Sequence, residues 1–290
     1  MTRTYSGFTI AGSLKWRKII GTSMRITVFT CLAVLAGMFA PIAHACGPET
    51  DCEIGDRVYR IRMPAEASGP VPVLLFAHGY RGSAAGPMRN ANFERLANDL
   101  GAALIAVKSK GPDWDLPGTP SGASKGDFAG ELQYFDNVLT DAGTRFDLDL
   151  DRVVATGFSA GGMMVWSLAC YQSENYAGFI PISGTFWKPE PASCETPPAK
   201  IIHVHGNADR TVPLGGRKIG PAHQGDVPTV LEMYADYGAY GYAMQARRGN
   251  LNCLERTNAT GEILDFCRFD GGHSFSVAYI RHGWERIFGE

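Results

Sequence analysis

The segment from residue 153 to residue 169 constrains the fold more than any other part of this 290-residue chain. An apolar run, Val153-Val154-Ala155, leads into Gly157-Phe158-Ser159-Ala160-Gly161-Gly162, and an apolar helical stretch follows directly. Because Gly157 and Gly161 carry no side chains, a strand and a helix can approach closely around a tight turn that leaves Ser159 exposed. The segment therefore predicts a strand, a sharp turn and a helix at residues 160–171.

Short apolar runs alternate with segments of helical periodicity along most of the chain. The runs lie at residues 58–63, 71–77, 102–107, 152–155, 178–182 and 201–204, and the helical segments at 87–100, 128–139, 160–171 and 279–288. Residues 111–125, rich in Gly, Pro and Ser, are typical of a long loop. This alternation predicts an α/β fold in which a mostly parallel central sheet carries helices on both faces. Only the run at 58–63 alternates in the way that favours an antiparallel strand.

A leader segment precedes this region. An apolar stretch at residues 26–40 follows Arg25 and precedes Ala43-His44-Ala45, which has small residues at the two positions that a signal peptidase recognises. The stretch is shorter than the roughly 20 residues of a membrane-spanning helix. We therefore expect a signal peptide at residues 1–45, with Met24 as the true start. A secreted or periplasmic single domain at residues 46–290 would remain. A retained membrane anchor and lipidation of Cys46 are the weaker alternatives.

Removal of residues 1–45 would change the charge of the chain. The whole chain carries a net charge of −2, and the leader contains five basic residues and no acidic one, so the mature domain would carry −7. An acidic domain is not expected to bind nucleic acid. Once the leader is removed, we also expect no association with a membrane.

The cysteine count also favours a secreted or periplasmic location. The chain has seven cysteines, and loss of Cys31 with the leader would leave six, an even number that fits disulfide bonding in an oxidising compartment. Proximity in the chain favours Cys46 with Cys52, Cys170 with Cys194, and Cys253 with Cys267, although other pairings stay open. Neither a Cys-x-x-Cys nor a His-x-x-x-His spacing occurs. We therefore expect neither a metal nor an organic cofactor.

Ser159 is the candidate nucleophile, and a serine hydroxyl needs a neighbouring base that is itself oriented by a carboxylate. In a strand-turn-helix context of this kind the acid and the base follow later in the chain, each on a loop after a strand. Asp209 lies just past the run at 201–204, and His273 lies in the glycine-rich Gly271-Gly272-His273. We predict the triad Ser159, Asp209 and His273.

Other histidines and carboxylates compete for these roles. His78 and His205 each precede a glycine at a strand end and are expected to shape turns, and His203 is expected to be a hydrogen-bonded core residue. His223 and His282 are expected on the surface or in a helix. Asp265 and Asp270 are the alternative acids, but their place in or beside the last strand fits the geometry less well.

Acyl transfer also needs two N–H donors placed where the oxyanion forms. The backbone N–H of Ala160, directly after the nucleophile, is the first candidate. The loop His78-Gly79-Tyr80-Arg81-Gly82-Ser83 follows the run at 71–77, and the N–H of Tyr80 is the second candidate. This loop could equally be a simple strand-to-helix connection.

With these motifs in place, the chain resembles the polyhydroxybutyrate depolymerase and feruloyl esterase group of secreted α/β hydrolases. The similarity runs from about residue 55 to His273 and is specific at Phe76-Ala77-His78-Gly79, at residues 151–162, at residues 205–213 and at Gly271-Gly272-His273. The resemblance implies the α/β-hydrolase fold. It places Ser159, Asp209 and His273 at the family's triad positions and Tyr80 at its usual second oxyanion donor.

Two departures from that family lie beside the expected acyl pocket. Ser274-Phe275-Ser276 stands where an aromatic residue and a proline are common, and Tyr80-Arg81 where a Cys or Gly is common. They leave the chemistry intact and the acyl preference open. Trp114, Phe186 and Trp187 are candidate substrate-binding aromatics, although packing would explain them equally well. Because no further domain follows His273, we expect soluble esters or short hydroxyalkanoate oligomers rather than crystalline polymer as substrates.

The sequence thus predicts an exported serine esterase acting on hydroxyalkanoate, hydroxycinnamoyl or short acyl esters through an acyl-enzyme. One alternative is a secreted serine peptidase of the prolyl-oligopeptidase type, which shares the Gly-x-Ser-x-Gly-Gly motif but normally carries a propeller domain. The other is a non-catalytic binding module built on a hydrolase fold.

Overall fold

The computed structural model describes residues 46–120 and 127–289. The predicted signal peptide at residues 1–45, the alternative start at Met24 and the leader cysteine Cys31 lie outside the described residues. The predicted loop at 111–125 is described as far as residue 120.

Within the described residues, ten strands form one sheet and two short strands form a separate hairpin. The strands of the sheet are β1 (Cys52–Ile54), β2 (Arg57–Arg62), β3 (Val71–Ala77), β4 (Ala103–Val107), β5 (Leu148–Phe158), β6 (Gly178–Ile182), β7 (Ile201–Gly206), β10 (Met244–Arg248), β11 (Leu251–Thr257) and β12 (Ile263–Phe269). The hairpin consists of β8 (Lys218–Ile219) and β9 (Ala222–His223). The order across the sheet is β1-β2-β4-β3-β5-β6-β7-β12-β11-β10. The neighbours from β4 to β12 are parallel, and antiparallel strands flank them on both sides.

Helices cover both faces of the sheet. They are α1 (Ala85–Met88), α2 (Ala91–Leu100), α3 (Phe128–Arg145), α4 (Ala160–Tyr171), α5 (Val227–Tyr237) and α6 (Val277–Phe288). Side chains of α3, α4 and α5 pack into one apolar core, and those of α1, α2 and α6 into a second core across the sheet. The predicted α/β architecture is therefore confirmed.

Local sequence explains most element boundaries. β3 and α4 have the predicted bounds, and every residue of β3 is buried, as expected for a strand covered on both faces. The predicted helix at 87–100 is divided into α1 and α2, because the side chain of Asn90 accepts a hydrogen bond from Asn92 N–H and caps a new helix. The sequence patterns did not predict α5 or β10.

Three disulfide bonds join Cys46 to Cys52, Cys170 to Cys194, and Cys253 to Cys267. These are the pairs that proximity in the chain favoured. Cys253 and Cys267 are direct partners across the antiparallel pair β11 and β12. In the part of the chain that the structure describes, no helix has both the length and the apolar character needed to cross a membrane.

Candidate active site

Ser159 lies at the sharp turn between β5 and α4. Its backbone has φ 60° and ψ −120°, a conformation rarely adopted by a residue with a side chain. Its N–H donates to Ile182 O at 2.9 Å, and its carbonyl accepts from Met163 N–H at 3.0 Å. The backbone is thus bonded on both sides while the side chain projects from the carboxyl end of the sheet, which is the geometry of a nucleophile elbow.

Glycines make this turn sterically possible. A Cβ on Gly161 would overlap the carbonyl oxygen of Ala77, and one on Gly157 would stand 2.5 Å from the carbonyl carbon of Gly161. A Cβ on Gly162 would lie 2.6 Å from Ile182 O. The start of α4 therefore sits against the ends of β3 and β6 with no room for side chains.

Asp209 and His273 lie on the loops that follow β7 and β12, which are neighbours in the sheet. His273 Nδ1 lies 2.7 Å from Asp209 Oδ2. The other oxygen, Oδ1, accepts the N–H groups of Thr211 and Val212, each at 2.8 Å. Burial by itself would raise the pKa of Asp209, but the hydrogen bonds from His273 and Val212 hold that pKa below its usual value. The carboxylate is therefore kept ionised beside the imidazole.

The two loops are also tied to each other. Ala208 N–H donates to Gly271 O at 2.8 Å, and a Cβ on Gly206 would overlap the carbonyl oxygen of Gly272. Phe275 anchors the His273 loop, because its ring stacks on Phe93 at 5.4 Å in the second apolar core. Phe275 thus explains how the unusual Ser274-Phe275-Ser276 segment holds its position.

His273 reaches the neighbourhood of Ser159 through Phe158. The imidazole and the Phe158 ring have centroids 4.6 Å apart, and Phe158 directly precedes Ser159. Ser159 Oγ has no hydrogen-bond partner among residues 46–120 and 127–289. A general base and its nucleophile often form their hydrogen bond only in the complex with substrate.

The two predicted oxyanion donors are also free. No residue in the described ranges accepts a hydrogen bond from the N–H of Tyr80 or of Ala160. The Tyr80 loop is braced from behind by His78, whose Nδ1–H donates to Gly79 O at 2.7 Å and whose Nε2 accepts Ser109 N–H at 3.1 Å. Burial lowers the pKa of His78 to about 4, so the imidazole is neutral. His78 shapes its turn, as the sequence suggested.

The alternative acids are engaged elsewhere. Asp265 is fully buried in β12 and accepts a hydrogen bond from Arg286 Nε at 2.8 Å. Asp270 accepts one from Asn207 Nδ2 at 2.9 Å. His273 has its hydrogen bond with Asp209 instead.

A cleft of about 460 Å³ opens beside Ser159. Its walls come from the loop at residues 78–83, here called the oxyanion loop, from α4, from the loop after Asp209 and from the β8–β9 hairpin. The lining residues include Tyr80, Asp113, Met163, Trp187, Val212, Arg217, Ile219 and Gln224. Trp187 lines this cleft, and its role in substrate binding stays a prediction. Sequence patterns missed Asp113, Arg217 and Gln224, because the loops that carry them show no motif.

Trp114 does not line the cleft. It is 1% exposed, its Nε1–H donates to His78 O at 2.8 Å, and its ring packs on Phe135. The prediction that Trp114 binds substrate is therefore wrong, because the indole fills the core behind the oxyanion loop. Phe186 is likewise buried and packs on Trp166.

One group of three candidate metal ligands lies close together within the described ranges, namely Cys253, Cys267 and His282. The two sulfur atoms are bonded to each other. They offer no thiolate to a metal.

Known proteins with similar sequences include members of one enzyme class. A family model described as phospholipase/carboxylesterase matches residues 124–222. The chain is 26% identical over 195 residues to NocK of Nocardia uniformis subsp. tsuyamanensis, a protein named as an esterase; the match covers 66% of this chain and 56% of NocK. It is 22% identical over 264 residues to a protein of Aspergillus niger named as feruloyl esterase C, covering 87% of this chain and 90% of the relative.

The fold matches solved structures as well. The acetyl xylan esterase from Aspergillus awamori superposes with a TM-score of 0.59 at 15% identity, over 83% of this chain and 98% of that one. This identity is low enough that the likeness speaks for the fold alone. The chain is an α/β hydrolase by fold, and the two relatives compared above carry esterase names.

Proposed function

We propose that the mature domain is a serine esterase that hydrolyses carboxylic esters through an acyl-enzyme. The observation that carries the proposal is the combination of Ser159 on its strained turn with the 2.7 Å contact between His273 and Asp209. All three residues stand at the carboxyl ends of parallel strands, where open α/β sheets place their active sites. The esterase names of the relatives support the same reaction class.

In the proposed reaction, His273 accepts the proton of Ser159 as Oγ attacks the ester carbonyl. Asp209 holds the imidazole in the tautomer with its proton on Nδ1 and stabilises the imidazolium that forms. The N–H groups of Tyr80 and Ala160 bind the oxyanion of the tetrahedral intermediate. His273 then gives the proton to the departing alcohol, and a water activated by His273 releases the acid from Ser159.

The cleft supports short or medium-sized substrates with a polar portion. Met163, Trp187 and Ile219 give it apolar walls, while Arg217 and Gln224 add polar groups. We infer that the substrates are short acyl, hydroxycinnamoyl or hydroxyalkanoate esters. Assays with p-nitrophenyl butyrate, methyl ferulate and hydroxybutyrate oligomers would rank the three classes.

Disulfide bonding supports export. All six cysteines of residues 46–290 are paired, and such bonds persist in oxidising compartments. We propose a secreted or periplasmic location. Mass spectrometry of the protein recovered from culture medium and periplasm would show whether the chain begins after Ala45.

The central test is Ser159→Ala in the purified mature protein. Loss of the nucleophile should reduce the kcat for p-nitrophenyl butyrate by about 10⁶-fold and abolish labelling by a fluorophosphonate. Ser193→Ala, at an exposed serine, is the matched control and should behave as the wild type does.

The outcomes separate this proposal from its rivals. Unchanged ester turnover in Ser159→Ala would reject the mechanism. A wild type that cleaves peptides in preference to esters would favour a peptidase. A wild type that neither turns over esters nor takes up the label would favour a binding module.

A further inference from the structure

Two histidines that take no part in the proposed mechanism are buried next to it. His203 and His205 lie in β7, six and four residues before Asp209, and both are 0% exposed. Their rings point to the same side of the sheet, with centroids 5.1 Å apart. Burial of an imidazole is costly unless both ring nitrogens are hydrogen-bonded, so the partners of this histidine pair need an explanation.

The histidine pair belongs to a continuous chain of hydrogen bonds. Trp166 Nε1–H donates to His203 Nδ1 at 3.0 Å, and His203 Nε2 lies 2.9 Å from His205 Nδ1. His205 Nε2 lies 2.8 Å from the carbonyl oxygen of Val212. An indole N–H can only donate and a carbonyl oxygen can only accept, so the ends of the chain fix its direction. Both histidines therefore carry their proton on Nε2.

This series of hydrogen bonds ends on the turn that holds Asp209, the proposed catalytic acid. Val212, whose carbonyl accepts the last hydrogen bond, also donates its own N–H to Asp209 Oδ1. His205 Nε2 is in addition 3.6 Å from Asp209 Oδ2, the oxygen that faces His273. His205 therefore touches both the turn that cradles the carboxylate and the carboxylate itself.

We propose that His205, kept in one tautomer by His203 and Trp166, is a positioning residue that orients Asp209 toward His273. The inference rests on the proposed function, since it assigns a role within the same triad. A carboxylate that can rotate about its side-chain bonds spends less time aligned with the imidazole. The contacts of His205 with Val212 O and with Asp209 Oδ2 restrict this rotation before substrate binds.

Neutrality of the pair is part of this role. Burial lowers the pKa of His205, and it lowers the pKa of His203 well below its usual value. The ionisable groups facing the pair are Asp209 and His273. A cationic His205 would form a second ion pair with Asp209 and would compete with the imidazolium of His273. A neutral N–H donor orients the carboxylate without that competition.

The first experiment compares His205→Asn with His205→Gln. An asparagine amide lies near the position of Nδ1, so it can accept from His203 but cannot reach Val212 O. A glutamine amide reaches the position of Nε2 and can donate there. We expect His205→Asn to lower the kcat for p-nitrophenyl butyrate by about 10- to 100-fold, as loss of a supporting partner does, with KM within about twofold. His205→Gln should restore kcat to within about threefold of the wild type.

The second experiment tests Trp166, the first donor in this series of hydrogen bonds. Trp166→Phe removes the indole N–H that fixes the tautomer of His203 and should lower kcat by about 3- to 10-fold with KM unchanged. Trp284→Phe is the matched control, because Trp284 is 1% exposed and its Nε1 has no hydrogen-bond partner among the described residues. That variant should lose thermal stability without losing kcat.

All rates are expressed per active site, counted by complete fluorophosphonate labelling. This correction separates positioning from misfolding, since misfolded protein neither labels nor turns over. A wild-type kcat per site in His205→Asn, or equal losses in the Asn and Gln variants, would overturn the proposal. If His205→Asn does not fold, equal kcat values for Trp166→Phe and Trp284→Phe would overturn it instead. A wild type that fails to label would reject the proposed function, before any variant is compared.

Discussion

At the scale of single residues, the site depends on backbone conformations and close contacts that few side chains allow. Ser159 holds a positive φ, and the glycines around it let α4 begin directly against β3. Such strained positions persist only where the surrounding structure imposes them, and they cluster at functional sites. The glycines are therefore as important to the site as the polar side chains.

Gly161→Ala should test this steric requirement. The new methyl group would overlap Ala77 O, so α4 or β3 must shift, and we expect a loss of about 1–3 kcal/mol of unfolding free energy together with most of the activity. Gly111→Ala is the control, because a Cβ there meets nothing within 4 Å. Urea denaturation of both variants checks the prediction, and equal stability of the two would contradict it.

Asp113 lies in the cleft beside Ser159 with its carboxyl largely buried. Burial raises the pKa of Asp113 to about 6, even though its Oδ1 accepts Trp114 N–H. The folded protein therefore binds a proton at this position more readily than the unfolded chain does. Its contribution to stability is greatest below the unfolded pKa near 4 and is lost as the pH rises through about 6.

Asp113→Asn removes the cost of ionising a buried carboxyl group at high pH and keeps the acceptor for Trp114 N–H. The variant should be more stable than the wild type at pH 8 by on the order of 2 kcal/mol, with little difference at pH 4. Thermal denaturation across that range measures the difference, and Asp147→Asn at an exposed position controls for removal of a charge. A constant difference at all pH values would contradict the assignment.

At the scale of elements, a buried ion pair ties β2, the second strand from one edge of the sheet, to α3. Arg57 in β2 contacts Glu131 in α3 at 2.7 Å, with side-chain exposures of 8% and 2%. Arg57 also donates to Lys108 O, and Glu131 accepts Asp115 N–H at 3.0 Å. These contacts hold the segment between Lys108 and Asp115, which includes the cleft residue Asp113 and the buried Trp114.

Glu131→Leu would leave the Arg57 guanidinium buried without its partner. Removal of one member of a buried pair typically costs about 3–5 kcal/mol, so we expect a loss of that order in unfolding free energy. The control is Asp56→Ala at the exposed pair with Lys110, which should have no measurable effect. Similar stability of both variants in guanidinium denaturation would contradict the role given to Arg57 and Glu131.

At the scale of the whole molecule, the disulfides fasten regions outside the parallel core. Cys46–Cys52 holds the segment before β1, Cys253–Cys267 joins strands near the opposite edge, and Cys170–Cys194 links the end of α4 to a long loop. A disulfide stabilises mainly by restricting the unfolded chain, and the effect grows with the enclosed loop. The three bonds should therefore differ in their contribution.

The Cys170–Cys194 bond spans 24 positions and the Cys46–Cys52 bond spans 6. Replacement of both cysteines by serine should cost about 3 kcal/mol for the longer loop and about 2 kcal/mol for the shorter one. Chemical denaturation without reductant tests this order, and full reduction with dithiothreitol should bring the variants and the wild type together. A larger loss at the shorter loop would contradict the entropic account.

Sequence by itself determined the features whose physical cause is local. Hydrophobic runs and their periods predicted the α/β architecture and gave β3 and α4 their bounds, because burial on both faces of a strand and helical packing leave direct traces in residue order. The motif at residues 157–162 pointed to the turn at Ser159, and short loop contexts singled out Asp209 and His273. The proximity of two cysteines in the chain is likewise a local feature, and it suggested the three cysteine pairs.

Only the tertiary structure decided which side chains meet across long distances in the chain. It buried Trp114 behind the oxyanion loop, joined Arg57 to Glu131, and connected Trp166 through His203 and His205 to the turn of Asp209. Partners of this kind are chosen by the packing of several elements at once, so no window of sequence contains the information. The chemistry of the site is therefore visible in the order of residues, while its alignment and the walls of its cleft follow from how the folded chain brings distant loops together.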